Sequence, residues 1–341
     1  MSSSDGKSET VAVEKKKSQR SVLRRFLDFY NQQEIARPLI PFIIILVASI
    51  ALSPQYFLSP SNLKVVLFQS APIALLALGE GMVIIMGSID LTPGSVSGLS
   101  ALVTGLVTLS TGNITLAITI AILAGLAVGA INGLLVSKFK VYSFIATLAG
   151  LEIWRAVDLT ITGGSPIYGL TQYSFLMNDF HTFIPLVFIV ALAITLVFWY
   201  LLTRTTWGGR IIYGIGSNEE AVRLAGTHAD LAKFLAFTIA GSLYGLAGVM
   251  LVATGGYVVD PWTAYGYELY AIAAAVLGGI ALTGGTGHPI GPFFGALILT
   301  ILTDILIIMG GITQYTIQEI IIGIILIAAA PALTRGLRWV K

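Results

Sequence analysis

The sequence contains no cysteine and few charged residues. The lack of cysteine excludes disulfide bonds, zinc–thiolate sites, iron–sulfur ligation and cysteine nucleophiles. Charged residues make up 11% of the 341 positions and hydrophobic residues 56%, whereas soluble domains hold about 25% and 45–50%. With a mean hydropathy of +0.88, this balance excludes a disordered chain, a nucleic-acid-binding domain and an ordinary soluble enzyme. It predicts a polytopic membrane protein.

Motifs that carry catalytic chemistry are also missing. No GxxxxGK[ST] stretch is present, so the chain has no phosphate-binding loop of its own. The three histidines are far apart and form no HExxH motif, and no GxSxG nucleophile elbow occurs. We therefore expect no catalytic residue, no bound metal and no nucleic-acid partner, and no motif supports an intramembrane enzyme.

Apolar runs begin after a polar N-terminal segment. Residues 1–38 are rich in Lys, Arg, Ser and Gln and predict a cytoplasmic polar tail, and residues 334–341 predict a basic cytoplasmic C-terminus. Between them, residues 39–333 contain ten apolar runs near the length of about 20 residues that a spanning helix needs. We predict an all-α integral membrane protein with about ten transmembrane helices that contact membrane lipid. The runs are 39–57, 64–86, 94–111, 114–136, 142–162, 182–203, 231–253, 268–284, 289–309 and 315–333.

Glycine-rich breaks interrupt this pattern at 87–93 and 284–289. Either break is predicted to be a broken or re-entrant segment buried in protein. Within the runs, small residues recur at four-residue spacing, which predicts helix backbones in close contact. The clearest rows are Gly125, Gly129 and Gly133, and Gly241 and Gly245.

The basic residues predict the orientation of the chain. Cytoplasmic loops of membrane proteins carry an excess of Lys and Arg. With the N-terminus placed inside, 17 of the 19 Lys and Arg residues fall inside, while Lys64 falls outside and Arg155 lies within a run. The even number of runs then puts both termini in the cytoplasm, with the chain in the cell membrane.

Three charged residues share one face of the run 142–162. Glu152, Arg155 and Asp158 are spaced i, i+3 and i+6, so Arg155 is able to pair with either carboxylate. A charge within a span needs a partner or a role. The simpler interpretation is an ion pair that fixes helix packing, and the alternative is the polar lining of a transport pathway.

Glu80, Asp304 and Glu319 are isolated acids within predicted spans. The simpler interpretation is a buried carboxyl group that is protonated or hydrogen-bonded to a neighbouring helix. A carrier coupled to protons or ions would need such groups. These residues therefore support the alternative of a secondary transporter.

The first break, GSIDLTPG, combines turn and helix-start residues. Thr92 followed by Pro93 is typical of an N-cap and a first helical position. Asp90 is placed to satisfy free amides near that helix start. The simpler role is structural, and the alternative is that Ser88, Asp90 and Thr92 face a sugar or form a gate.

The predicted inside loop contains a short helix at 216–226. Asn218 is expected to cap it, Glu219 and Glu220 occupy its first turn, and Gly226 ends it. The helix is either a solvated loop element or a docking helix for a cytoplasmic partner. Its apolar positions are Ala221, Leu224 and Ala225.

Several stretches together resemble the permease subunit of ribose-type ABC sugar importers, over residues 62–330. The most specific stretch is GYELYAIAAAVLGGIALTGGTG at 266–287, which also makes Glu268 a candidate pathway or gate residue. The chain departs from the family pattern at Ser88, Pro93, Ala225 and Thr227. The other stretches are GSIDLTPGS at 87–95, TGGSP at 162–166, GIGSNEEAVRLAG at 214–226 and GPFFGAL at 291–297.

The resemblance implies an ABC-importer permease fold with broken or re-entrant segments, and it also implies a set of partners. The permease would form a dimer with itself or a close paralogue, two cytoplasmic ATP-binding subunits would dock on it, and an extracytoplasmic binding protein would deliver the sugar. ATP and Mg would be bound by the ATPase and not by this chain. The 216–226 helix would be the coupling helix, with Glu220, Ala221 and Gly226 as the best matches to that motif. A pentose such as ribose, xylose or arabinose is the expected solute.

Overall fold

The computed structural model describes residues 35–177, 184–203 and 206–310, with five single residues between 317 and 327. Residues 1–34 of the predicted polar tail, the basic C-terminus, Glu319 and most of the tenth run lie outside these residues, whereas residues 36–38 of the predicted tail belong to the first helix. The described secondary structure is mainly helical, and an antiparallel bridge joins Ile167 to Val259. The prediction of an all-α membrane protein is confirmed.

Eleven α-helices are present in the described parts of the chain. Five of them, α3, α4, α5, α9 and α11, are long and apolar enough to cross a membrane, and α1, α7 and α10 are shorter apolar helices. The helices are α1 (Ala36–Leu52), α2 (Pro54–Phe57), α3 (Pro60–Ile85), α4 (Pro93–Thr111), α5 (Ile114–Ser137), α6 (Ser143–Thr162), α7 (Leu186–Leu201), α8 (Trp207–Leu224), α9 (Ala229–Thr254), α10 (Tyr267–Leu277) and α11 (Gly291–Gly310), with a 3-10 helix at Thr171–Met177.

One predicted span proves too long. The run 268–284 was expected to cross the membrane, but α10 contains only 11 residues, which is about 16 Å at 1.5 Å per residue. Gly279, Gly284 and Gly285 adopt positive φ angles of 84°, 79° and 71°. A right-handed helix cannot pass through such residues, so hydropathy alone overestimated the helix.

The helix α3 forms the centre of the bundle. Of its most apolar stretch, 94% is buried inside the protein, and it packs against α9, α11, α10 and α7. A helix that is apolar on every side fits a position surrounded by other helices. By contrast, the most apolar stretch of α5 is only 28% buried, which suits a helix that faces lipid.

The glycine rows bring α5 and α9 into backbone contact. A Cβ atom added at Gly125 would collide with the Gly241 carbonyl oxygen and lie 2.8 Å from the Gly245 Cα. Only glycine leaves room for this approach, which gains dispersion contacts between the helices in lipid. The predicted close packing is confirmed.

The break before α4 places a helix start inside the bundle. Thr92, just before α4, lies beside Gly150, where an added Cβ would be 2.9 Å from the Thr92 methyl carbon. Gly150 is seven residues into α6, or about 10 Å from its start. The predicted break at 87–93 is therefore a broken segment inside the bundle. A second broken segment, at 255–266, was not predicted, and it leads into α10.

Candidate functional site

A buried polar cluster surrounds the break between α3 and α4. The Glu80 carboxylate accepts a hydrogen bond from the Asp90 backbone N–H at 3.2 Å and one from the Tyr244 hydroxyl at 3.4 Å. Asp90 Oδ1 accepts hydrogen bonds from the Thr92 N–H (2.8 Å) and hydroxyl (2.6 Å). The Asn132 amide donates to the Thr92 hydroxyl at 3.1 Å. Two fully buried carboxyl groups, from α3 and from the break, thus share one cluster.

The backbone of this break is satisfied by side chains from α6. The Ile89 N–H donates to the Ser143 hydroxyl at 3.2 Å, and the Ile89 carbonyl accepts a hydrogen bond from the Thr147 hydroxyl at 3.3 Å. Irregular backbone at membrane depth requires such partners because no bulk water reaches it. Ser88 is also buried here, and its N–H donates to the Val83 carbonyl at 3.1 Å.

The structural interpretation of Asp90 is confirmed in part. Asp90 satisfies the Thr92 amide, as predicted, and Pro93 is the first residue of α4. The Thr92 side chain, however, caps no amide of that helix. Asp90 Oδ2 is buried and has no hydrogen-bond partner among the described residues, so the cluster retains one unused acceptor.

The contact between Glu80 and the break was missed by the sequence analysis. The signal lay in the turn at Gly87, whose φ of +78° reverses the chain. Glu80 precedes this turn by seven residues and Asp90 follows it by three, so a reversal brings the two segments side by side. Tyr244 comes from the distant helix α9, and no local pattern indicates that contact.

A second polar cluster lies beside the first, around the segment 255–266. The Arg155 guanidinium donates hydrogen bonds to the backbone carbonyls of Pro261 (3.2 Å), Thr263 (2.9 Å) and Ala264 (3.4 Å). Its Nη1 atom is also 3.6 Å from Asp158 Oδ2. Arg155 therefore joins α6 to the segment that precedes α10.

The predicted triad on α6 is divided by the fold. Arg155 and Asp158 are both buried and form an ion pair, whereas the Glu152 side chain is exposed. The prediction that Arg155 pairs with one of the two carboxylates is confirmed, and the partner is Asp158.

The start of α4 links the two clusters. Thr92 belongs to the first cluster, and a Cβ atom added at Gly94 would overlap the Glu268 carboxylate at the start of α10. A Cβ added at Gly98 would lie 2.9 Å from Arg155 Nη1 and 3.2 Å from Asp158 Oδ2. The sequence-predicted residues Asp90, Thr92 and Glu268 are thus brought together along one polar line, where α4 and α10 both begin.

The other isolated acid that the structure describes is hydrogen-bonded. The Asn62 side-chain amide donates to the Asp304 carboxylate at 2.8 Å, which joins α3 to α11. The interpretation as a buried carboxyl group hydrogen-bonded to neighbouring parts of the bundle is confirmed for Glu80. Asp304 is hydrogen-bonded to a neighbouring helix as predicted, but it is only partly buried.

The short helix at one end of the bundle has the predicted caps. Asn218 is non-helical (φ −164°, ψ 95°), so α8 consists of two parts that meet there, and the Asn218 side chain accepts a hydrogen bond from the Ala221 N–H at 3.0 Å. Gly226, at φ +75°, donates its N–H to the Arg223 carbonyl at 3.0 Å. These contacts define a helix at 219–224 with a glycine C-terminal cap.

An ion network holds this helix against two other elements. Arg223 pairs with Glu219 of the same helix at 2.8 Å and with Asp230 at the start of α9. Lys140, in the turn between α5 and α6, also pairs with Asp230, and Lys233 of α9 pairs with Glu219. We call this end of the bundle, which carries Lys140, Arg223 and Lys233, the basic face. The network fixes the orientation of the 219–224 helix.

The network lowers the pKa of both acids. Hydrogen bonds from Arg223 lower the pKa of Asp230 to about 2. Partial burial opposes this effect, and a hydrogen bond from Lys140 adds to it. Burial alone would raise the pKa of Glu219, but hydrogen bonds from Lys233 and Arg223 outweigh it and hold that pKa below its ordinary value. Both carboxylates are therefore ionised at neutral pH.

The apolar stripe of the 219–224 helix faces away from the protein. Leu224 is 83% exposed, and Ala221, Ala225 and Glu220 are also exposed. A groove of about 430 Å³ lies beside the stripe, between the two parts of α8. The exposed Ala221, Leu224 and Ala225 together give the helix a small apolar surface next to this groove.

The first part of α8, residues 207–217, was missed by the sequence analysis, which predicted a loop there. Near its end, a Cβ atom added at Gly216 would lie 2.5 Å from the Gly285 amide nitrogen and collide with the Ile85 carbonyl oxygen. The Gly285 N–H donates to the same Ile85 carbonyl at 2.8 Å. The first part of α8 thus contacts the end of α3 and the non-helical segment 278–290, which contains the predicted break at 284–289.

Comparison with known proteins identifies similar chains. Residues 62–330 match the family model described as branched-chain amino acid transport system / permease component. The chain is 36% identical over 299 residues to the ribose import permease protein of Escherichia coli strain K12, covering 86% of this chain and 91% of that one. It is 38% identical over 291 residues to the ribose import permease protein of Bacillus subtilis strain 168, covering 84% and 88%.

Relatives with other names have a similar degree of sequence identity to this chain. The D-allose transport system permease protein of E. coli K12 is 35% identical over 298 residues, which cover 84% of this chain and 88% of that one. The autoinducer 2 import system permease protein of Klebsiella pneumoniae is 38% identical over 268 residues, which cover 78% and 77%. No solved structure matches the chain.

Proposed function

Because this chain belongs to the family of branched-chain amino acid transport system permease components, we propose that it is the membrane-spanning permease subunit of an ATP-driven monosaccharide importer. The observation that carries this proposal is the polar line at mid-depth, where α4 and α10 begin beside Asp90, Thr92 and Glu268. Helix starts and irregular backbone inside a bundle are typical of solute sites in transporters. The chain itself carries out no bond chemistry.

The proposed solute is a pentose. Two of the relatives are named for ribose import and one for D-allose transport, so sugars are the class of solute that their names share. A neutral sugar presents hydroxyl donors, and Asp90 Oδ2 is an acceptor with no described partner. Ser88 and Pro93, which differ from the usual family residues, border this position and are the candidates for tuning the solute.

The proposed ATP-binding partner docks on the 219–224 helix. The capped helix, its exposed Ala221 and Leu224, and the adjacent groove supply an apolar surface on a rigid support. ATP and Mg would bind in that partner, in agreement with the absence of a phosphate-binding loop from this sequence. Asn218, Glu219, Glu220 and Gly226 would shape and orient the contact.

We propose that the basic face lies in the cytoplasm together with both termini. Four cationic residues lie near this face, namely Lys138, Lys140, Arg223 and Lys233. Cytoplasmic loops of membrane proteins carry an excess of such residues. The extracytoplasmic sugar-binding protein would then dock at the opposite face, near the bridge between Ile167 and Val259. A second copy or a close paralogue would complete the membrane unit.

The proposed mechanism is alternating access. Closure of two ATP-binding subunits would move the 219–224 helices, and contacts of Gly216 with the end of α3 and with Gly285 would carry that motion to the breaks. The pathway opens outward, receives the sugar and opens inward after hydrolysis. The permease then needs only a difference in solute affinity between two states.

Purification from native membranes tests the proposal. The chain is tagged and extracted gently, and co-purifying proteins are identified. A stoichiometric ATPase subunit, together with ATP-dependent pentose uptake in proteoliposomes, is the expected result. A preparation that contains no ATPase and takes up solute only with an ion gradient would overturn it in favour of a secondary carrier that uses Glu80 or Asp304.

A further inference from the structure

The Arg155 guanidinium is hydrogen-bonded to backbone carbonyls of the segment between α9 and α10. It donates to the carbonyls of Pro261, Thr263 and Ala264, and the Arg155 side chain is 8% exposed. A guanidinium stays charged in proteins, and a charge inside a membrane bundle must keep acceptors in every conformation. If this segment moves away, Arg155 needs another acceptor.

Asp158 is such an acceptor and is not fully used. Its side chain is 0% exposed, its Oδ2 is 3.6 Å from Arg155 Nη1, and neither carboxylate oxygen accepts a hydrogen bond from the described residues. A buried carboxylate without hydrogen bonds destabilises a structure. Located one turn from Arg155 on the same helix, it is placed to accept two parallel N–H groups from the guanidinium.

The segment that Arg155 holds is strained. Ala264 adopts a φ angle of +59°, a region that residues with a side chain rarely occupy. Such strain persists only where surrounding contacts impose it, and Arg155 supplies contacts to this residue and its neighbours. Release of these hydrogen bonds would therefore let the segment relax to another conformation.

We propose that Arg155 is a positioning residue for transport that exchanges partners between two states. In the state seen here it holds the segment 260–266 against α6 and keeps the pathway closed at the face opposite the basic face. In the other state its N–H groups leave the backbone carbonyls and hydrogen-bond to the Asp158 carboxylate, with which they now form only an ion pair at 3.6 Å, and the segment withdraws to open the pathway. This inference rests on the proposed function, because it assigns the two arrangements to the two states of alternating access.

The absence of cysteine makes the exchange directly measurable. Ala264 is 7% exposed, so Ala264→Cys introduces a single buried thiol as a reporter. The rate of its alkylation by a membrane-impermeant maleimide is measured in the complete importer in lipid nanodiscs, without nucleotide and with ATP plus vanadate. We expect slow labelling without nucleotide and labelling about tenfold faster in the trapped state. A tenfold change in the population of the accessible state is what the gain or loss of one modest interaction produces.

Substitutions at the two partners should act in opposite ways. Arg155→Gln removes the hold on the segment, so labelling without nucleotide should rise about tenfold. Asp158→Asn removes the charge that receives Arg155 in the open state, so labelling without nucleotide should stay slow and the nucleotide response should be lost. Arg155→Lys, which retains the charge but offers fewer donors, should give an intermediate basal rate if Arg155→Gln does not fold.

Glu152→Gln is the matched control. Glu152 precedes Arg155 by three residues on the same helix, just as Asp158 follows it by three, and the substitution removes its carboxylate. It should leave both labelling rates unchanged. If Asp158→Asn behaves like Glu152→Gln, or if neither Arg155 variant changes the basal rate, the exchange of partners is wrong.

A second reporter separates this failure from failure of the proposed function. Leu224→Cys on the basic face should be protected from alkylation by the ATPase subunit. Protection at Leu224→Cys without any response at Ala264→Cys overturns only the role of Arg155. An absence of protection at Leu224→Cys overturns the docking surface and, with it, the proposed function.

Discussion

Glu80 holds together segments that the break before α4 would otherwise leave without partners. Its carboxylate receives the Asp90 amide and the Tyr244 hydroxyl, both in the buried interior. Each of these donors would lack a partner at membrane depth if the carboxylate were removed. The residue therefore has a structural role that is independent of any ion coupling.

The first prediction concerns this carboxylate. Glu80→Ala should lower the free energy of unfolding by about 1–3 kcal/mol for each donor left unpaired. Glu80→Gln retains an acceptor oxygen of the same reach and should cost less. Thermal unfolding of the two variants in the same detergent measures the difference. Equal stabilities for the two variants would contradict the assignment.

The second prediction concerns the acid with the lowered pKa on the basic face. Because the pKa of folded Asp230 is about 2, below its ordinary value of 3.8, its stabilising effect is full above about pH 4 and is lost as the pH falls towards 2. Asp230 is 44% exposed, so screening limits the effect to below about 1 kcal/mol.

Thermal unfolding of the chain in detergent between pH 6 and 3 tests this effect, which added salt should weaken. Asp230→Asn should reduce the loss of stability over this range, whereas Glu220→Gln, which changes an exposed carboxylate of the 219–224 helix, should not. An unchanged pH dependence in Asp230→Asn would show that the network contributes nothing.

At the scale of elements, the 219–224 helix combines rigidity with an unfilled apolar surface. Its caps and its ion pairs to α9 and to the turn after α5 fix its position. Local rules predicted the caps, because Asn218 and Gly226 act on backbone groups a few residues away. The ion pairs to Lys140 and Lys233 depend on tertiary contacts and were not predicted.

The third prediction places a bulky charge on that surface. Ala221→Arg should uncouple ATP hydrolysis from transport and reduce sugar uptake at least about tenfold, as loss of a central contact does. The free energy of unfolding should change by less than about 0.5 kcal/mol, because the position is exposed. Ala221→Ser, a small change at the same position, is the control. Undiminished uptake in Ala221→Arg would refute the docking role.

Short helices at mid-depth are the other decisive elements. Hydropathy predicted a full span at 268–284, but glycines with positive φ angles end α10 at Leu277. The same limitation concealed the broken segment 255–266. Apolar composition reports that a segment is buried, and does not report the depth at which its helix begins.

At the scale of the whole molecule, the bundle has two chemically different ends. One carries the ion network of the 219–224 helix, and the other carries the bridge between Ile167 and Val259. We propose, from the positive-inside rule, that the first end lies in the cytoplasm. Since the native sequence lacks cysteine, single thiols are able to report the sidedness without further engineering.

The fourth prediction tests this orientation. Leu224→Cys is on the basic face and Tyr168→Cys, at a position that is 63% exposed, is on the opposite one. An impermeant maleimide should label Tyr168→Cys in intact cells and Leu224→Cys in inverted membrane vesicles stripped of peripheral proteins. Labelling of both from the same side would contradict the orientation and the predicted span count together.

The sequence by itself determined the class of protein, most helix positions, the caps of the 219–224 helix and the glycine rows. These features depend on hydropathy over about 20 residues or on hydrogen bonds between near neighbours, so the information is local. Tertiary structure decided which groups meet: Glu80 with Asp90 and Tyr244, Arg155 with Asp158 and the segment 260–266, and Glu268 with Gly94. Those contacts join residues from different helices, and their partners are set by how the bundle packs around α3.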